Sequence, residues 1–305
     1  MVAGYGAIQI PQWIPLSLMS ARRRALRFAV ISDLHHGLAP DAMSRLQAFC
    51  TEVRKRKKLD LIIELGDFNY SQPESAECLD LFHLLPQPKV YVLGNHDMDK
   101  CDKDAVMKAW GMKSRYGAHE FGDFRFLVLD LNHFKKDGKL VGYNHGNYFT
   151  DHATRSWADP EQLAWLESEL LASKKPTILL SHQPLGFAEP GKPMPPEQKE
   201  ILDIVAKTKA ANPAGAVALS LFGHLHVDRL ERVDDVPYYC VNSASYFWAD
   251  GMFPYTKPLF AFMELTTDGH LKVEGVQGAF VKPPPAGSDG VIGRSASIAD
   301  RDFVV

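Results

Sequence analysis

Five short polar motifs hold the residues of this chain with the chemistry to act. They are Asp33-Leu34-His35, Gly66-Asp67, Gly94-Asn95-His96-Asp97, His182 in Leu180-Ser181-His182-Gln183, and Gly223-His224-Leu225-His226. Their ligand-type side chains are carboxylates, imidazoles and one amide, with no thiolate among them. Such hard-to-borderline N and O donors suit Mn, Fe or Zn rather than copper(I) or an iron–sulfur cluster. A lone Asp-x-His is common by chance, and a lone histidine such as His182 is more often a satisfied core or surface residue. The joint pattern is what points to metal. Asp33 and His35 are two apart, as are His224 and His226, so at an extended strand end each pair points to one side. Gly66, Gly94 and Gly223 directly precede ligand-type residues, where a tight turn needs freedom from a Cβ.

The chemistry that fits is phosphoester hydrolysis. Two divalent ions about 3.5–4 Å apart share a carboxylate and a hydroxide, and lower the pKa of bound water toward about 7. The hydroxide attacks phosphorus in line while the cations neutralise the phosphoryl oxygens. The leaving alkoxide then needs a proton. His96 is the natural general acid, with Asp97 beside it to orient or charge the imidazole.

These residues need strands to position them. Leu26 to Ser32, Leu59 to Leu65, Lys89 to Leu93, Pro176 to Ser181 and Ala216 to Phe222 read as short apolar strands. Helical patterns separate them: from Asp41 with Met43, Leu46, Phe49, Cys50 and Val53 inward, from Glu74 to Leu85, and from Asp104 to Trp110. Asp159-Pro160-Glu161-Gln162 opens another helix, with Asp as N-cap, Pro at N1 and Gln at N3. Its stripe is Leu163, Leu166 and Leu170, and a further helix starts at Pro195-Pro196-Glu197. Hairpins are expected around Gly122-Asp123, around Asp234-Asp235, and between Pro258–Leu265 and His270–Gly275. From Asn132 to Ala158 the chain is polar, aromatic and aperiodic, the mark of a long functional or disordered loop. Strands alternating with helices give an α/β class, and in such sheets the site lies at the carboxyl ends of the strands.

Composition bounds the rest. At 305 residues and 46% hydrophobic, the chain supports a well-buried core. A formal charge of -3 supplies no long-range field for nucleic acid, so no stable nucleic-acid binding is expected. The five basic residues Arg54 to Lys58 read as a helix C-terminus, where cations offset the macrodipole. Cys50, Cys78, Cys101 and Cys240 have no CxxC spacing and read as free thiols in a reducing, cytoplasmic compartment. The apolar stretch Ile8 to Met19 is too short for a membrane span and is broken by Pro11 and Pro15. Its positive charges, Arg22-Arg23-Arg24, follow it, whereas a signal peptide carries them first, so export is the minority reading. The expected organisation is an N-terminal extension over 1–24, one domain over 25–278 and a flexible Pro-, Gly- and Ser-containing tail over 279–305.

With all five motifs in place, residues 27–245 resemble the calcineurin-like metallophosphoesterase superfamily. In style the chain is most similar to the class III cyclic-nucleotide and glycerophosphodiester phosphodiesterases, which use Asp-x-His first. The resemblance implies a four-layer α/β/β/α sandwich with mixed sheets. It implies one metal on Asp33, His35, Asp67 and His226, and another on Asp67, Asn95, His182 and His224, with Asp67 bridging and His96 catalytic. The activity implied is two-metal hydrolysis of a small phosphorylated substrate, a phosphodiester or nucleotide-type molecule. The alternatives are a phosphomonoesterase of the acid-phosphatase kind and a nucleoside-diphosphate-linked pyrophosphatase. A non-catalytic scaffold is disfavoured because every ligand is present. Gly66-Asp67-Phe68-Asn69-Tyr70 also matches the Gly-Asp-x-x-Tyr of purple acid phosphatases, but His35 fills the place that tyrosine would take, so Tyr70 reads as packing or a pocket wall. His36, Asn69, Asn144 and His145 are the candidate substrate contacts. Tyr143, Asn147 and Tyr148 share a loop with the last two and would cap the pocket. Phe187, Tyr246, Phe247 and Trp248 are aromatics that would stack on a base or pack in the core.

Overall fold

Strand β1 (Ala25–Ile31) sends Leu26, Phe28 and Val30 to one face and Ala29 and Ile31 to the other, and all five are buried. A strand covered on both faces lies between two layers. The structure, a computed structural model, describes residues 25–70, 75–188, 191–287 and 293–305. After β1 come α1 (Ala42–Lys55), β2 (Leu61–Glu64), α2 (Ala76–His83), β3 (Lys89–Tyr91) and α3 (Lys103–Trp110). The middle of the chain forms β4 (Gly117–Phe121), β5 (Phe124–Val128), β6 (His133–Lys136), β7 (Lys139–Gly142), α4 (Pro160–Ala172) and β8 (Thr177–Leu180). Then follow α5 (Pro196–Ala211), β9 (Val217–Phe222), β10 (Arg229–Val233) and β11 (Val236–Cys240). The last strands are β12 (Tyr246–Trp248), β13 (Met252–Pro254), β14 (Ala261–Thr266), β15 (His270–Glu274) and β16 (Arg301–Val304).

Two mixed six-stranded sheets result. The first has the order β16-β15-β14-β1-β2-β3 and the second β10-β11-β9-β8-β5-β4. β1, β2 and β3 pair in parallel, as do β5, β8, β9 and β11, while the outer strands add antiparallel. The sheets face one another across Leu26, Phe28, Val30, Leu61 and Ile63 on one side and Phe126 and Val128 on the other. The Phe28 and Phe126 rings meet edge to face at 6.2 Å. Leu166 and Leu170 of α4 and Ile201 and Val205 of α5 extend this core beyond the second sheet. Ala29, Ile31 and Ile62 pack the other way, against Leu46, Phe49 and Val53 of α1, Phe82 of α2 and Trp110 of α3. The layers are therefore helix, sheet, sheet, helix, as the resemblance implied. Among the described residues no helix is long and apolar enough to cross a membrane. All four cysteines are free and buried.

The cap of α4 forms as its sequence dictates: the Asp159 carboxylate accepts from the Gln162 N–H, and Pro160 fills N1. Three expectations need correction. The tail over 279–305 is not flexible at its end, because β16 adds to the edge of β15 with His270 opposite Val304 and Val273 opposite Arg301. Ile298 is wholly buried, and the Arg301 guanidinium reaches the Asp228 carboxylate at 2.8 Å. An open sheet edge and a buried isoleucine outweigh the prolines and glycines upstream. The aperiodic stretch after Asn132 contains the hairpin β6–β7. The β12–β13 hairpin is likewise additional to the expected set. The N-terminal extension over 1–24 and the Glu74 start of α2 lie outside the described residues.

Candidate metal centre

The motifs follow the carboxyl ends of parallel strands in both sheets. Asp33 and His35 come after β1, Asp67 after β2, Asn95 after β3, His182 after β8, and His224 and His226 after β9. The sheets thus bring their ligands to one edge of the sandwich, where parallel sheets place their sites. The i, i+2 pairs do converge, but not because the chain is extended there. Asp33, His35, Asp67, His224 and His226 all have positive φ, between 53° and 67°. Non-glycine residues occupy that region at a cost of order 1–3 kcal/mol each, so the surrounding structure must hold them. It does so in part by lacing loops together: Asp33 N–H donates to Gly66 O at 2.9 Å and His35 N–H to Asp67 O at 2.8 Å. Space, more than turn geometry, explains two of the glycines. A Cβ on Gly94 would stand 2.1 Å from the Asp67 nitrogen, and one on Gly223 would stand 2.5 Å from Asp33 Oδ2.

The side chains form two groups, Asp33–His35–His226, all buried, and Asp67–His182–His224, of which only His224 is half-buried. In the first, His226 Nε2 is 3.0 Å from His35 Nε2 and 3.1 Å from Asp33 Oδ1. In the second, His182 Nε2 is 3.1 Å from Asp67 Oδ2 and 3.3 Å from His224 Nδ1. Asp67 Oδ2 also stands 3.9 Å from His35 Nε2, so its carboxylate faces both groups. Ligand atoms about 2.1 Å from an ion lie roughly 3.0–3.4 Å apart, which is the spacing of these donors. The donor set therefore fits a pair of cations. Electrostatics agree. Burial alone would raise Asp33 and lower His182, yet His226 and His182 hold the Asp33 carboxyl at about 2, and Asp67 and Asp33 hold His182 up at about 9. Burial and the neighbouring His182 push His224 down to about 3. A cation bound to His182 at neutral pH must displace a proton. Asn95 bonds to Gln183, the residue after His182. Its Oδ1 accepts from Gln183 Nε2 at 3.2 Å, and Gln183 also donates to Asn132 Oδ1.

His96 is brought to the edge of the first group, its ring 5.2 Å from that of His35. Its partner is not Asp97. His96 Nδ1 lies 2.7 Å from Asp99 Oδ2. Asp97 turns the opposite way, wholly buried, and accepts from the backbone N–H groups of Asp67, Phe68, Asn69 and Gly94 at 3.0, 2.8, 3.2 and 2.7 Å. In a helical turn successive residues point about 100° apart, while i and i+3 share a face. That corrects the expected role of Asp97 and identifies Asp99 as the residue missed. The i, i+3 spacing in His96-Asp97-Met98-Asp99 was the available signal. Against burial, Asp67 and Asp99 hold the His96 imidazole above its usual pKa. Tyr148 OH completes the group, 2.5 Å from Asp99 Oδ1 and 3.2 Å from both His96 Nδ1 and Asn95 Nδ2.

The candidate substrate contacts divide. Asn69 is buried and its Oδ1 accepts from Trp110 Nε1 at 3.2 Å, so it serves the core. His36 is half-buried, with Nδ1 3.4 Å from Ser75 Oγ. Asn144 and His145 are exposed and bonded to one another, on a loop tied to Cys101 and Met98 by backbone bonds from His145 and Gly146. Tyr70 lies against Gly37, a packing role. Tyr246 is laid on the His35 ring at 4.9 Å and 28°, and Phe247 is in the core. Arg45 holds the loop that carries Tyr246. Its buried guanidinium donates to the carbonyls of Ala244, Tyr255 and Lys257.

Comparison with known proteins gives three findings. The family model described as calcineurin-like phosphoesterase matches residues 26–228. A probable cyclic nucleotide phosphodiesterase of Synechococcus sp. is 26% identical over 217 residues, covering 66% of this chain and 73% of its own. GAP50, the anchor in the inner membrane complex of Plasmodium, is similar in fold, with a TM-score of 0.56 at 14% identity over 87% of this chain and 90% of its own.

Proposed function

The chain belongs to the calcineurin-like phosphoesterase family, and on that premise we propose that it is a two-metal phosphodiesterase acting on a small, nucleotide-type substrate. The observation that carries this reading is the position of Asp67, whose carboxylate faces His182 at 3.1 Å and His35 at 3.9 Å, between two groups of ligand atoms. Asp33, His35 and His226 would hold one cation, Asn95, His182 and His224 the other, with Asp67 shared. When bound, such cations supply a water that ionises near neutral pH and a positive field for the phosphoryl oxygens.

The chain's own residues handle the proton. His96 Nδ1 donates to Asp99, which leaves Nε2 to carry the proton given to the departing alkoxide. Asp67 and Asp99 raise the pKa of His96 against its burial, which favours the protonated imidazole. Tyr148 fixes the far oxygen of Asp99, so the imidazole is oriented before substrate arrives. Asp97 keeps the Asp67 and Asn95 loops in register through four backbone donors. The phosphodiesterase description of the Synechococcus relative supports a diester over a monoester.

The test is hydrolysis of bis-p-nitrophenyl phosphate against p-nitrophenyl phosphate, on protein stripped of metal and refilled with Mn, Fe, Zn or Co. The diester is expected to be turned over at least about tenfold more efficiently, a difference of roughly 1.4 kcal/mol in transition-state stabilisation. A monoester preference would move the assignment to a phosphatase. No turnover of either ester with any metal would contradict the reading.

A further inference from the structure

Among the described residues few large apolar side chains are exposed, and one of them stands at the catalytic histidine. Phe149 is 65% exposed, and its ring centroid lies 6.4 Å from that of His96. It is not a loose surface residue. One face stacks on Tyr148 at 4.5 Å and 28°, and Tyr148 stacks in turn on Tyr143 at 4.5 Å and 21°. Both tyrosines are buried and anchored: the Tyr148 hydroxyl to Asn95 and Asp99, the Tyr143 hydroxyl by the Ser156 N–H at 3.1 Å. The turn that delivers Phe149 is pinned as well. Phe149 N–H donates to Gly146 O, and Gly146 N–H donates to Met98 O in the turn that carries His96. The result is a column of three rings whose outermost face is held open beside the proton donor.

We propose that the exposed face of Phe149 is a platform for a planar ring of the substrate, so that the site takes nucleotide-type phosphoesters in preference to ring-free ones. This rests on the reading of the site as a phosphoesterase with His96 on the leaving-group side. A nucleoside carries its base one sugar away from the phosphate, and a ring next to His96 meets that base. Stacking of a base on an aromatic side chain tolerates any base, because every base has a π face. A platform held rigid before binding loses little entropy when it is used. Tyr246, a further aromatic at the site, already has its face on His35.

Calorimetric binding of adenosine monophosphate and of glycerol phosphate to the metal-loaded protein tests this without turnover. Wild type is expected to prefer adenosine monophosphate, and Phe149→Ala and Phe149→Leu to lose about tenfold of that preference, with Phe149→Trp retaining it. An unchanged preference in Phe149→Ala would overturn the proposal. So would a loss in Trp248→Ala with none in Phe149→Ala, since Trp248 is 59% exposed two residues after Tyr246. Hydrolysis of the two p-nitrophenyl esters by the same wild-type sample keeps the outcomes separate. Turnover without ring preference overturns the platform alone, and binding of neither ligand in a sample without turnover overturns the reading beneath it.

Discussion

Asp97 and Asp99 flank Met98, carry the same carboxylate and act on different neighbours. Asp99 touches the imidazole, and the Asp97 carboxylate accepts from four backbone N–H groups. Asp99→Asn should keep metal content but slow esters with poor leaving groups by about 10–100-fold, while esters with good leaving groups change by a few-fold. Equal slowing of both classes would remove Asp99 from the orientation of the acid. Asp97→Asn should instead lower stability by about 3 kcal/mol, read as a fall in the melting midpoint, because an amide replaces an acceptor of four N–H groups. At this scale the ligand types are legible in the sequence, since hard N and O donors after apolar runs are visible there. The partnership of His96 is signalled only by the i, i+3 spacing to Asp99, because it depends on the rotation of a short turn. The left-handed backbone at Asp33, His35, Asp67, His224 and His226 is hidden, as nothing in their types demands it.

The elements that carry the ligands are the legible ones. β1, β2, β8 and β9 are short apolar runs, and the caps of α4 are written out in Asp159-Pro160. The hairpin β6–β7 is short and mixed in polarity, and β12–β13 has only three residues in each strand, so periodicity marks neither. β16 was hidden by the proline- and glycine-containing stretch before it, and its stabilisation is tertiary. It pairs with β15, while Asp228 of the other sheet's region binds the Arg301 guanidinium and the Ala299 N–H. The chain just before β16 also reaches the site's support. Asn242 Nδ2 donates to the carbonyls of Ser295 and Ser297, and the adjacent Ser243 Oγ donates to Asp33 O. Deleting residues 293–305 should therefore lower the melting midpoint by roughly 5–10 °C and weaken metal retention. An unchanged midpoint and full metal content after the deletion would mean that the strand is not part of the fold's support.

At the scale of the whole molecule, two sheets from distant parts of the chain deliver one site. The first contributes Asp33, His35, Asp67 and Asn95, and the second His182, His224 and His226. The layered architecture was legible through the set of five motifs, whose order and spacing imply it once the resemblance is seen. The strand patterns alone do not give the facing of the two sheets, because they state which residues are buried and not what covers them; the resemblance supplies it. The convergence concentrates on Asp67, whose carboxylate lies 3.1 Å from His182 and 3.9 Å from His35. The most direct measurement is the number of divalent cations retained per chain after loading with Mn, in wild type and in Asp67→Asn. The account predicts about two in wild type, and loss of both together with nearly all phosphoesterase turnover in the variant. One cation per chain in wild type, or two retained with full turnover in Asp67→Asn, would contradict it.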